Sequence, residues 1–154
     1  MTITTAIAGS YKAECLAGTH VAADVYKIAL IKVAHAGTYG NLVTNAGTPG
    51  SGAPTTSNLG TDEVVGSGYT SGGATLAGFS ITQTSGATPA RLDFTTPTWP
   101  TSTISATGAM IYNSTRSNKV VAVFDFGGTI TSTAGTFTAT MPAVADGTSL
   151  VRFA

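Results

Sequence analysis

The sequence predicts a mainly β fold: a single jelly-roll or β-sandwich domain with one short N-terminal helix and one long loop. Segments of β-branched residues alternate in polarity through the second half of the chain, where turn residues separate them at short intervals. Residues 37–73 consist largely of Gly, Thr, Ser, Pro, Ala and Asn, which disfavour helix. No shift in composition marks a second domain, so we expect residues 1–154 to form one unit.

Composition predicts a folded domain with a neutral, hydroxyl-rich exterior. Charged residues make up 9% of the chain and hydrophobic residues 42%. Seven basic residues balance seven acidic ones, so the chain has no basic stripe to neutralise phosphates, which argues against a nucleic-acid partner. The first nine residues lack the pattern of a signal peptide, and no run of 18 apolar residues predicts a membrane span. We therefore expect synthesis in a cytoplasm.

The short helix is predicted near the N-terminus. Ser10 is placed to cap it, Tyr11, Cys15 and Leu16 share one face, and Gly18 ends it. A helix of about two turns is not stable alone, so its apolar face must pack against the rest of the domain.

About eight strands are predicted. Residues 26–33 are apolar on both faces, as in a strand covered on both sides. Gly108 predicts a bulge or a close backbone contact inside one strand, and Gly127 with Gly128 predicts a turn between two others. A polar turn is expected at residues 113–118. The other predicted strands are 76–83, 91–94, 101–112, 119–126, 136–141 and 149–153.

The long loop, about residues 37–62, has two interpretations. A structureless segment of this length usually binds a partner, but it can also fold back over the protein's own sheet. If it binds a partner, the candidate contacts are Tyr39, Leu42, Val43 and Leu59. Trp99, between two prolines, is predicted either to fill the core at a sheet edge or to anchor an interface.

Nothing in the sequence predicts a catalytic, cofactor or metal site, and we expect a protein that is not an enzyme. Cys15 is the single cysteine and is expected to be a small buried apolar residue. His20 and His35 are the two histidines and are expected to be structural. Asp62 and Glu63 are adjacent, so their side chains should point in opposite directions rather than share a cleft. A Ser–His–Asp set assembled from distant segments stays open.

Several phrases of the sequence resemble a known family when they are taken in order. They are AIAGSYK at 6–12, YKIAL at 26–30, TDEV at 61–64, GYT at 68–70, GAMIYNST at 108–115 and AVFDFG at 122–127. Together they resemble the capsid cement, or decoration, proteins of short-tailed bacteriophages. The resemblance implies a jelly-roll domain on the outside of an icosahedral virion head, bound to the major capsid protein and assembled as a homodimer or trimer.

The functional prediction is therefore a structural protein that bridges capsid subunits and stabilises the shell. The alternative is a module of a phage tail, fibre or baseplate that binds a glycan of the host surface. A glycan site would require Trp99 or Tyr39 on the surface beside Asp or Asn side chains. A virion-associated hydrolase is a third, minor option. For the long loop, deletion of residues 41–58 is expected to leave the fold intact and to weaken capsid binding.

Overall fold

Strands dominate the computed structural model, which describes residues 1–83, 90–142 and 150–153. In this part of the chain the strands form two antiparallel sheets, one of five strands and one of three. The mainly β prediction with one short helix is confirmed for these residues. The elements are β1 (Ala6–Ile7), α1 (Gly9–Leu16), β2 (Tyr26–Lys32), β3 (Ala74–Thr75), β4 (Ser80–Thr82), β5 (Ala90–Asp93), β6 (Thr98–Asn113), β7 (Lys119–Thr138) and β8 (Val151–Phe153).

The large sheet is built around the β6–β7 hairpin and has the order β1-β7-β6-β2-β3. A polar turn joins the two long strands, as predicted for residues 113–118. The Asn113 side chain accepts a hydrogen bond from the Arg116 amide, and Ser117 and Asn118 adopt positive φ angles of 53° and 60°. Polar residues at a turn are favoured because short polar side chains tolerate this conformation. The buried strand β2 then pairs with β6 over its whole length.

The predicted turn at Gly127 and Gly128 does not end a strand. Ala106 pairs with Ile130, and Gly108 pairs with Asp125, so residues 126–129 of β7 lie opposite one residue of β6. The glycines therefore form a bulge, after which β7 continues to Thr138. Gly127 adopts a φ of 72°, and its amide donates to Asp125 Oδ1 at 2.8 Å. The predicted strands 119–126 and 136–141 thus belong largely to one strand.

Gly108 makes the close backbone contact that its position predicted. A Cβ atom at this residue would lie 2.4 Å from the Phe124 carbonyl oxygen and 2.8 Å from Ile3 Cδ1. The register of β6 also shifts between Ala106 and Gly108. The N-terminal segment can therefore pack directly against the hairpin at this point.

The helix forms where it was predicted, but Ser10 does not cap it. Ala8 occupies the N-cap position without a side-chain hydrogen bond, and Ser10 lies inside the first turn. The Gly9 amide instead donates to the Asn41 carbonyl at 2.8 Å, so the long loop supplies the acceptor that a capping side chain would provide. Tyr11 is buried as predicted, whereas Leu16 is 92% exposed and leaves the predicted apolar face incomplete.

The small sheet has the order β4-β5-β8, and β5 (Ala90–Asp93) forms close to its predicted position at 91–94, whereas β4 is shorter than predicted. The predicted strand 76–83 is confined to Ser80–Thr82, and the first part of the predicted strand 149–153 lies outside the described residues. Aromatic rings connect this sheet to the large one, because Phe79 and Phe94 both lie 5.2 Å from Tyr26, measured between ring centroids.

The long loop folds back along the edge of the large sheet. The Thr4 amide donates to the Tyr39 carbonyl at 2.8 Å, and the Val120 amide donates to the Thr44 carbonyl at 3.1 Å. The Ala46 amide donates to the Asn118 carbonyl at 2.8 Å. These bonds satisfy backbone groups along the outer side of the N-terminal segment and of the first residues of β7, where an unpaired edge would invite association.

Candidate interaction surface

Four of the five predicted partner contacts lie in the core. Tyr39, Val43 and Leu59 are at most 1% exposed, because the folded-back loop contributes its large apolar side chains to the core cluster. Trp99 is 5% exposed and packs between Tyr69 and Phe137, with ring centroids 5.9 and 5.8 Å away. The core-filling interpretation of Trp99 is confirmed, and the assignment of these four residues to a surface is corrected.

Of the predicted contacts, only Leu42 projects into solvent. Its side chain is 74% exposed and borders a groove that it shares with Thr4, Thr38 and Thr56. Leu42 can therefore contact a partner, whereas its buried neighbour Val43 stabilises the fold.

The loop provides a test of these two roles. We expect Val43→Ala to lower the free energy of unfolding by about 2 to 3 kcal/mol, because it empties a fully buried site. Leu42→Ala should change it by less than about 0.5 kcal/mol. Chemical denaturation of the two variants measures both effects. Equal effects would contradict the packing described above.

Since residues 41–58 include such core positions, we also correct the expectation that they can be deleted without loss of stability.

Asp62 holds the start of the loop from inside the protein. Its fully buried carboxylate accepts hydrogen bonds from the Ala36 amide at 2.9 Å, the Gly37 amide at 2.7 Å and the Tyr39 hydroxyl at 2.6 Å. Burial alone would raise the pKa of Asp62, but these donors and the Lys32 ammonium at 3.5 Å hold the pKa below its usual value. The carboxylate is therefore charged, and its hydrogen bonds are satisfied within the protein. We call Asp62 an anchor because these bonds hold the start of the loop in place.

Glu63 holds the end of the same region. It is 1% exposed and accepts hydrogen bonds from the Tyr69 hydroxyl at 2.8 Å, the Ser71 hydroxyl at 2.8 Å and the Gly72 amide at 2.7 Å. Asp62 and Glu63 have no hydrogen-bond partner in common, because Asp62 bonds to residues that precede it in the chain and Glu63 to residues that follow it. Each carboxylate therefore has a separate set of structural contacts.

The far half of the β6–β7 hairpin, residues 101–107 and 129–133, presents a hydroxyl face. Along β6 the positions alternate, with Ser102, Ile104 and Ala106 buried and the residues between them more exposed. Ser105 lies opposite Thr131 in the register, and their hydroxyl oxygens are 3.0 Å apart. The hydroxyl face consists of Thr101, Thr103, Ser105 and Thr107 on β6 with Thr129, Thr131 and Thr133 on β7.

A groove of about 500 Å³ lies beside this face. Thr103, Ser105, Thr131 and Thr133 line it on one side, and Val33 and Val65 line it with exposed fractions of 47% and 91%. Lys32 also lines the groove, but its ammonium donates to the Thr61 carbonyl at 2.6 Å and pairs with Asp62. Glu63 also lines the groove, but it is 1% exposed and its carboxylate accepts three hydrogen bonds within the protein. The groove thus combines hydroxyl groups and small apolar groups with one cation and one carboxylate that already have partners.

The edge of β7 next to this face has no strand partner among the described residues. The loop and β1 cover the edge up to Val123, and the Asp125 amide donates to Thr5 Oγ1 at 3.0 Å. From residue 126 to residue 138, no strand of the described residues pairs with the side of β7 that faces away from β6. Residues 126–142 contain no Asp, Glu, Lys or Arg. A strand edge without charge is a surface on which another chain can add a strand.

A second polar cluster joins α1 to the hairpin turn. The Asn113 amide nitrogen donates to His20 Nδ1 at 2.9 Å and to Asp24 Oδ2 at 2.8 Å, which leaves His20 Nε2 to donate to Glu14 at 2.9 Å. The hydrogen bond from Arg116 lowers the pKa of Asp24 to about 2. Sequence reasoning missed this cluster because its members are about 90 residues apart and no local pattern connects them.

Cys15 and His20 lie near each other but do not form an activated pair. Burial raises the pKa of the Cys15 thiol, and both ring nitrogens of His20 already have partners. A nucleophilic cysteine requires the opposite: a lowered pKa and a free base.

His35 hydrogen-bonds the Gly37 carbonyl at 2.9 Å. Within the described part of the chain, no three His, Cys, Asp or Glu residues lie close enough to hold a metal ion.

Comparison with protein-family models, with curated proteins and with solved structures found no significant match to this chain. None of the helices among the described residues is long and apolar enough to cross a membrane.

Proposed function

We propose that this protein is a capsid decoration, or cement, protein that docks on the outside of an icosahedral phage head and bridges subunits of the major capsid protein. The observation that carries the proposal is the charge-free surface formed by the hydroxyl face and by the edge of β7 that no strand of the described residues covers. A surface of this kind suits a protein that works while docked.

A surface without charges is inexpensive to desolvate when it docks on a partner. Burying a charged group in an interface costs several kcal/mol unless the partner compensates it, whereas hydroxyl and backbone groups are satisfied by ordinary hydrogen bonds. The hydroxyl face and the β7 edge can therefore be covered without an exactly matched charge on the capsid. Many weak contacts of this type become strong when several copies bind a rigid lattice.

The major capsid protein as partner, and the homo-oligomeric state, enter this proposal from the resemblance of the sequence phrases to capsid cement proteins. That resemblance places the protein on the exterior of the virion, as a homodimer or trimer with a jelly-roll topology. The order of the large sheet supports that topology, because the late hairpin β6–β7 lies between the early strands β1 and β2. Greek-key folds, which include jelly rolls, nest strands in this way.

A module that binds a host glycan is less well supported. That alternative required Trp99 or Tyr39 on the surface, and both rings are in the core. The exposed groove beside the hydroxyl face has no aromatic residue in its lining on which a sugar ring could stack.

The test is to add the purified protein to capsids that lack it and to image the particles. We expect density at regular sites between capsomers. Thr133→Lys, which adds a charge to the hydroxyl face, should reduce site occupancy at least about tenfold, since an uncompensated charge is costly to bury. Ala13→Lys, on the exposed side of α1, is the matched control and should bind normally. Absence of density on the lattice, or density confined to the tail vertex, would contradict the proposal.

A further inference from the structure

A cleft separate from the proposed docking surface lies between α1 and the small sheet. It measures about 190 Å³, and its lining includes Tyr11, Cys15, Tyr26, Phe79, Leu92 and Phe153. Ile81 lines the cleft as well. The side chains of Ile81 and Phe153 are 69% and 40% exposed, so apolar side chains contact the solvent here.

The walls are rich in aromatic rings that already contact one another. The Tyr26 and Phe79 rings stack at 5.2 Å between centroids, and Tyr11 and His20 are 4.7 Å apart. These contacts fix the side chains, so the shape of the cleft exists before any ligand binds. A preformed apolar pocket is the usual form of a small-molecule site.

Several polar groups of the walls have partners within the protein. His20 hydrogen-bonds Glu14 and Asn113 through its two ring nitrogens. The Tyr26 hydroxyl donates to the Val21 carbonyl at 3.1 Å. Arg91, which also lines the cleft, has an interaction of its own within the protein. A ligand therefore meets mainly ring faces and aliphatic side chains.

We infer that this cleft binds a small, uncharged aromatic molecule. An engineered protein cavity of about 150 Å³, lined by aliphatic and aromatic side chains, binds benzene, so the volume here is sufficient for one substituted ring. A charged ligand would lose its hydration against walls that are mainly apolar, whereas a neutral ring gains contact with the rings around it. The site is independent of capsid docking.

Toluene is the probe for this inference. Titration into the isotopically labelled protein, followed by NMR, should shift the signals of Tyr11, Tyr26 and Leu92 with a dissociation constant of about 1 mM or lower. Cys15 supplies a second readout, because it is the one thiol of the chain and lines the cleft. Saturating toluene should slow its alkylation by iodoacetamide at least about threefold, as expected when more than about two-thirds of the sites are filled.

Two variants of α1 decide whether binding occurs in the cleft. Cys15→Leu fills it with a larger side chain and should weaken toluene binding at least about tenfold, while the NMR spectrum reports whether the fold is kept. Ala13→Leu adds the same side chain on the exposed side of the helix and should bind as the wild type does. Absence of saturable shifts in the wild type, or equal binding by Cys15→Leu, would overturn the inference.

Discussion

We expect Gly73→Ala to prevent stable folding, lowering the free energy of unfolding by more than about 4 kcal/mol. Gly73 precedes β3 at the point where the chain returns to β2. A Cβ atom there would lie 1.8 Å from the Ile28 carbonyl oxygen and 2.6 Å from the Ile28 carbonyl carbon. Both atoms belong to the backbone of the buried strand β2, which pairs with β6 on one side and β3 on the other, so neither can move without separating β2 from its neighbours. Circular dichroism and thermal denaturation measure the loss.

The neighbouring Gly72→Ala is the matched control. Gly72 also has a positive φ, 88° against 72° for Gly73, so both substitutions carry the cost of a left-handed backbone, about 1 to 2 kcal/mol. The Cβ of Gly72 would lie 3.5 Å from the Tyr112 hydroxyl, an ordinary contact. The difference between the two variants therefore isolates the clash with β2. If the two glycines proved equally tolerant, the close approach would not exist.

We expect Asp62→Asn to lower the free energy of unfolding at neutral pH by about 2 to 4 kcal/mol and to change its dependence on pH. The Tyr39 hydroxyl and the Ala36 and Gly37 amides all donate to the Asp62 carboxylate, and an amide side chain has one acceptor oxygen where the carboxylate has two. Urea denaturation at a series of pH values measures both effects.

The pH dependence follows from the direction of the pKa shift. Folding lowers the pKa of Asp62 below 3.8, so its stabilising contribution is complete above that value and is lost as the pH falls through the folded pKa. Asp24, with a pKa of about 2, adds a second loss between about pH 4 and pH 2. The wild type should thus lose stability below pH 4, and Asp62→Asn should lose less of it.

Asp125→Asn is the control for this experiment. Asp125 is exposed and accepts the Gly127 amide, which an Asn oxygen can also accept. Its stability at neutral pH and its acid profile should match those of the wild type within about 0.5 kcal/mol. An acid profile of Asp62→Asn that coincides with the wild-type profile would show that Asp62 is not the anchor described here.

Local patterns in the sequence located most of the elements. Alternation placed β2, and a run of polar residues placed the turn after Asn113, because these features depend on side chains within a few residues of each other. A glycine inside a strand pattern indicated the close contact at Gly108, but only the tertiary structure identifies its partners, Ile3 and Phe124. The residue at which a strand ends was harder to predict from the sequence. Gly127 and Gly128 suit a turn and a bulge equally well, and only the pairing of Ala106 with Ile130 across the hairpin distinguishes them.

Composition and side-chain alternation, which are local properties, were sufficient to predict a mainly β domain with a neutral surface. The role of the long loop could not be predicted in this way, because it depends on contacts between distant segments. Its glycines and threonines permit both an open excursion and a folded-back segment, and the second prevails because it buries Tyr39, Val43 and Leu59 and pairs backbone groups along the sheet edge. That burial moved the candidate docking surface from the loop to the charge-free edge and hydroxyl face of the β6–β7 hairpin.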